Sequence, residues 1–179
     1  MNLDAEPSSD PIATPPATRD ALFAFLTELG IETVTTEHAP VFTVEQAQAL
    51  RGAIPGGHCK SLFLKSKKGA FWLVVADEQR RVDLKQLARH LGSGNLSFGK
   101  PEVLAEVLGV EPGSVTPFAL INDREHRVRV VLDQAMLAHQ ELNYHPLKND
   151  ATTTIASVDL QAFIAALGHE AYITDLENL

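Results

Sequence analysis

Two strand-like runs, CKSLFLKS and AFWLVVAD, separated by the turn KKG, constrain this chain more than any other feature. Their apolar, β-branched and aromatic content predicts an antiparallel hairpin with a mostly apolar second strand. Alternation puts Lys60 on one face with Leu62 and Leu64, and Cys59, Ser61 and Phe63 on the other. A cation thus heads a face that otherwise looks like core. An inward lysine meets an anion, carbonyls or a water-filled pocket, or else it snorkels its amine to solvent; alternation does not choose between these.

The elements around the hairpin follow from caps and periodicity. Thr18 caps a helix carrying Leu22, Phe23, Phe25, Leu26 and Leu29, which Gly30 stops, and ETVTTEHA then reads as a strand. Thr43 opens the capping-box pattern T-V-E-Q, predicting a short helix to about Arg51. Asp83 caps LKQLARHLG, GSGNLSFG reads as a plain loop, and Pro101 starts the helix PEVLAEVLG. FALIND and RVRVVLD are expected to pair as strands. NYHPL is short and extended because Pro146 disfavours helix at His145. TTTIAS is a strand, Ser157 caps VDLQAFIAALG, and EAYITDL is the last strand. Helices and strands interleave irregularly, which predicts an α+β domain with a mixed, curled, barrel-like sheet surrounded by helices.

A chain of 179 residues, 45% hydrophobic, suffices for one domain with a real core. Residues 1–17 read as a disordered leader, because the first eighteen residues hold four prolines and three acids and no basic side chain; residues 18–179 form the domain. No run approaches the ~20 apolar residues of a membrane span, and the single cysteine fits a reducing cytoplasm. The net charge of −8 argues against broad, unspecific nucleic-acid binding. Yet Lys60 to Lys100 holds nine Lys and Arg against three acids, +6, leaving −14 for the rest. A locally positive surface on a repelling body suits a bounded contact with a polyanion; a solvated face is the plainer reading.

Individual chemical signals are weak. Cys59 reads as a small buried thiol, since adjacent His58 points to the other side of a strand. The seven histidines show neither H-E-x-x-H nor a helical i, i+4 pair, so no metal or other cofactor is expected. The loop Gly113–Ser114–Val115–Thr116–Pro117 can leave backbone amides free to hold a carbonyl or a developing oxyanion. His145, held extended before Pro146 in NYHPLKNDATTTI, can present its ring to a cleft or serve as a satisfied structural histidine.

Taken in order, KSLFL with its lysine, GSVTP and HPLKNDATTTI resemble the YbaK-like editing domains, relatives of the insertion domain of bacterial prolyl-tRNA synthetases. The resemblance spans about residues 18 to 176 and is most specific in HPLKNDATTTI. It implies a freestanding, metal-independent hydrolase that removes alanine from mischarged tRNA(Pro), without a covalent enzyme intermediate and with a tRNA ribose hydroxyl helping to activate water. Lys60, Gly113 and His145 would be the catalytic positions, and Ser114, Val115, Thr116 and Pro117 would bind substrate. Lys65, Lys67, Lys68 and Arg80 of the +6 segment would contact the tRNA. The implied partners are the tRNA(Pro) acceptor end and prolyl-tRNA synthetase, with the protein monomeric and cytoplasmic. Alternatives are a deacylase for serine or cysteine on the same fold, or a non-catalytic tRNA-binding module.

Overall fold

A computed structural model describes residues 14–41 and 43–179. Its helices are α1 (Arg19–Glu28), α2 (Val44–Ala53), α3 (Leu84–Leu91), α4 (Pro101–Leu108) and α5 (Ser157–Ala166). Its strands are β1 (Thr33–Glu37), β2 (Gly57–Ser66), β3 (Phe71–Asp77), β4 (Leu96–Phe98), β5 (Val128–Asp133), β6 (Glu141–Tyr144), β7 (Ala151–Ala156) and β8 (Ala171–Thr174). One mixed sheet runs β1-β7-β6-β2-β3-β5-β8, with β4 added to β2. The α+β expectation holds, but the path ends on β1 and β8, so the sheet is open and not a barrel.

The predicted hairpin forms, with Lys60 opposite Ala76 and Lys65 opposite Phe71. Alternation then sorts two apolar layers. Phe63, Phe71, Leu73 and Val75 pack with α1, α4 and α5 through Leu22, Leu26, Leu104, Leu108, Leu160 and Phe163. Leu64, Trp72, Val74 and Ala76 face the other way, against Leu87 of α3 and Leu176 near the C-terminus. Burial on both faces explains why β3 carries an almost unbroken apolar run.

Local signals set several element ends. Thr18 accepts from the Ala21 amide, and Thr43 and Gln46 complete the capping box at α2. Asp83 accepts from the Lys85 and Gln86 amides, and Gly92 closes α3 in the left-handed region. Three expectations fail. Pro117–Asn122 is a 3-10 turn, not a strand, with Thr116 Oγ1 accepting from the Phe118 amide; Phe118, Ala119 and Leu120 are all buried, and a short apolar run buried all round mimics a strand. The partners of β5 are instead β3 and β8, both parallel. GSGNLSFG contains β4, which docks on the last residues of β2, while the Gly99 amide donates to the Phe63 carbonyl at 2.9 Å. Ser157 is the first residue of α5, and its hydroxyl donates to the Leu137 carbonyl at 3.2 Å instead of capping the helix.

The expected leader lies outside the described residues except for 14–17. That end is already docked, because the Ala17 amide donates to Asn122 Oδ1 at 2.7 Å. Among the described residues, no helix is long and apolar enough to cross a membrane.

Candidate active site

One edge of β2 changes partner along its length. Gly57 and His58 pair with β6, while Leu64 to Ser66 pair with β4. Where β6 leaves β2, a cavity of about 210 Å³ opens. Cys59, Ser61, Asn143 and Tyr144 line it from the two strands, Leu50 and Arg51 from α2, and Glu78 from the end of β3. Gly113, Val115, His145, Asn149 and Thr152 complete the wall, with Val41 and His58.

Asn143 fixes the join of β2 and β6. Its Nδ2 donates to the Pro55 carbonyl at 2.8 Å, and its Oδ1 accepts from the Thr154 hydroxyl at 2.6 Å. Beside it, burial pushes the Cys59 thiol up to about 12, with a hydrogen bond to Tyr144 opposing that shift. Cys59 is therefore a neutral wall atom and not a nucleophile, as its surroundings in the sequence predict.

The loop from Gly113 to Pro117 divides its work. Gly113 takes φ +87°, a conformation that glycine adopts without a Cβ penalty. Gly113 and Val115 reach the cavity, and their amides donate to no group among the described residues. Ser114, Thr116 and Pro117 are buried and hold the loop from behind: the Ser114 amide donates to the Glu111 carbonyl at 3.0 Å, and Thr116 caps the turn.

His145 Nδ1 lies 3.0 Å from the Ala151 carbonyl. A carbonyl only accepts, which assigns the proton to Nδ1 and leaves a lone pair on Nε2. Burial, partly offset by that carbonyl, lowers the His145 pKa from its ordinary 6.5, so the ring is neutral at pH 7. Next to it, His38 Nδ1 donates to the Ala39 carbonyl at 2.8 Å, and in that tautomer His38 Nε2 accepts from the Thr152 hydroxyl at 2.9 Å. Asn149 Nδ2 donates to the Val41 carbonyl at 3.0 Å, while its buried Oδ1 has no partner among the described residues.

The structure thus brings His145, Gly113 and Val115 together and leaves Lys60 apart. Lys60 is not among the residues lining the cavity; it lies on the face of Leu62 and Leu64, and its ammonium donates to the Arg80 carbonyl. Arg80 also departs from expectation. Its guanidinium pairs with Asp133, a fully buried carboxylate, and with Glu177, both at 3.4 Å, so it is not a free surface cation. Lys65, Lys67 and Lys68 are exposed at the opposite end of the hairpin. Cys59 to Lys65 alone is roughly 20 Å at ~3.3 Å per residue.

Sequence reasoning missed Arg51 and Glu78, which form an ion pair at the cavity. No motif links them: Arg51 lies in the last turn of α2 and Glu78 just past β3, and the expected end of the helix near Arg51 was the one hint of either. Among the described residues, no group of three His, Cys, Asp or Glu side chains is placed to hold a metal ion. What the wall offers is a pair of free amides for a polarised oxygen, a neutral imidazole acceptor and an apolar rim.

Residues 38–163 match the family model of the aminoacyl-tRNA editing domain. Prolyl-tRNA synthetase associated domain-containing protein 1 of Bos taurus is 38% identical over 165 residues, covering 89% of this chain and 96% of that protein. The prolyl-tRNA editing protein ProX of Acetoanaerobium sticklandii is 35% identical over 152 residues, covering 84% and 93%. The fold is shared with a crystallised candidate trans-editing enzyme for prolyl tRNA synthetase, at a TM-score of 0.65, with 23% identity and coverage of 87% and 94%. The match over most of the chain, and the cavity built from the segments that carry it, show that this protein belongs to the aminoacyl-tRNA editing-domain family, a family of aminoacyl-tRNA deacylases.

Proposed function

We propose that this protein is a trans-editing hydrolase that removes alanine from mischarged tRNA(Pro), acting as a cytoplasmic monomer alongside prolyl-tRNA synthetase. The observation that carries this reading is the joint placement of the Gly113 and Val115 amides and His145 around a small cavity walled by Val41, Leu50 and Cys59. A synthetase pocket shaped for proline rejects smaller alanine poorly, because missing methylenes are worth only ~1–3 kcal/mol. A second pocket that admits alanine and excludes proline supplies the missing discrimination.

An aminoacyl ester is already activated, so orientation and electrostatics suffice for much of the catalysis. In this reading the loop amides receive the ester carbonyl oxygen, whose negative charge grows as water adds to the carbon. His145 Nε2 accepts a hydrogen bond from the terminal ribose hydroxyl or the attacking water. The tetrahedral intermediate collapses with cleavage of the ester C–O bond, and the departing ribose oxygen takes up the proton that the attacking water gives up. Lys60 acts as a positioning residue: its bond to the Arg80 carbonyl holds the segment that presents Glu78 to the cavity.

Deacylation of purified Ala-, Ser-, Cys- and Pro-tRNA(Pro) tests the proposal, with alanine expected to be released fastest. Rapid hydrolysis of Pro-tRNA(Pro) would remove the sieve, and binding without turnover of any substrate would leave a tRNA-binding module.

A further inference from the structure

We propose that Arg51 and Glu78 form an exchangeable clasp that reads the two charges at the aminoacyl end of the tRNA. Glu78 receives the α-ammonium of the amino acid, and Arg51 receives a phosphodiester of the terminal nucleotides. This rests on the reading of the cavity as an aminoacyl-ester site.

Among the described residues, these are the only permanently charged side chains that line the cavity, and they are paired with each other across two elements. Arg51 lies in the last turn of α2, and Glu78 directly follows β3. Their side chains are 33% and 32% exposed, so the pair is hydrated and exchanging its partners costs little. The two ends differ in rigidity. The Glu78 amide donates to the His58 carbonyl at 2.9 Å, and Lys60 holds the Arg80 carbonyl just beyond it. Arg51 reaches from a helix end on a long, adaptable side chain whose planar fork suits phosphate.

The substrate brings the complementary charges. An aminoacyl ester carries an ammonium one carbon from the reacting carbonyl, and the strand that delivers it is a polyanion. When both arrive, Arg51 can leave Glu78 for phosphate while Glu78 takes the ammonium, so no charge is stranded. His145 and His58 also line the cavity. Neutral His145 does not compete for the ammonium as an anion would.

The test compares alanyl-tRNA(Pro) with N-acetylalanyl-tRNA(Pro), each rate divided by its own uncatalysed hydrolysis. The wild-type protein should favour the free amine at least about tenfold in kcat/KM, the size of a hydrogen bond to a charged group. Glu78→Gln should bring that ratio close to unity by slowing the free-amine substrate far more than the acetylated one. Arg51→Gln should raise KM for both substrates, lessen the salt dependence of KM and keep the ratio. Equal acceleration of the two substrates by the wild type overturns the proposal without needing any variant. So does an unchanged ratio in Glu78→Gln, which would reduce the pair to a tie between α2 and β3. A wild-type protein that hydrolyses no aminoacyl-tRNA refutes the deacylase reading instead, a distinct result.

Discussion

Replacing Gly113 by alanine separates backbone strain from function. A Cβ there would meet nothing closer than Asn149 Nδ2 at 3.9 Å, so the substitution causes no steric clash. Its cost comes from φ +87°, where an L-residue is disfavoured by about 1–2 kcal/mol. Reduced freedom of the unfolded chain returns roughly 0.4–1 kcal/mol, leaving a net loss of about 1 kcal/mol. For a domain of this size that lowers Tm by roughly 2–4 °C. Gly30 provides the control: it has φ +70°, nothing lies within 4 Å of its would-be Cβ, and it follows α1 away from the cavity. Gly30→Ala should therefore cost similar stability. The activities should diverge. Relaxing Gly113 out of the left-handed region rotates the adjoining peptides, and losing one oxyanion donor costs on the order of 100-fold in kcat. Thermal melts beside single-turnover deacylation of Ala-tRNA(Pro) read both quantities. If the two variants melt alike and deacylate alike, the 113–117 loop does not hold the reacting carbonyl.

The Lys60→Ala variant should lose activity through Glu78, so Lys60→Ala/Glu78→Gln should be no slower than the slower single variant; additive losses would give the lysine a separate role. Arg80→Gln should destabilise the fold by about 2–3 kcal/mol in urea titration, because it strips the counter-charge from buried Asp133. The same variant should leave the salt slope of tRNA binding intact, whereas charge reversal at Lys65, Lys67 and Lys68 should flatten it if that end of the hairpin meets tRNA. Burial lowers both His145 and His169 below their ordinary 6.5, so the unfolded chain binds more protons as pH falls. Their contribution to stability is therefore complete above about pH 6.5 and lost as pH falls through the depressed folded-state values. Activity should decline on the same acid limb, and His145→Ala should remove its own part of that dependence.

The hairpin, the caps at Thr18, Thr43 and Asp83, and the two faces of β2 were legible because each depends on neighbours a few residues away. FALIND was misread for the opposite reason. Phe118 is enclosed by Tyr144 of β6 and Phe163 of α5, both distant in the chain, and an apolar run looks the same whether it is extended or tightly coiled. The β5 partnerships were hidden too, since parallel pairing leaves no turn between the strands to mark it. At the site, GSVTP and His145 were recognisable as segments. Which members of GSVTP reach the cavity followed only from the positive φ at Gly113 and the burial of Ser114 and Thr116.

Lys60 marks the boundary most clearly. Alternation along β2 by itself determined which face the lysine shares, and Leu62 and Leu64 do lie beside it against the α3 layer. What its ammonium meets depended on a carbonyl twenty residues away, brought near by the end of β3 and held there while Arg80 grips Asp133 and Glu177. The pairing of Arg51 with Glu78 is likewise a product of two chain segments converging on the gap where β6 leaves β2. Periodicity fixes the direction of a side chain because that is a local property of the backbone. Its partner is fixed by long-range packing, which only the folded chain supplies.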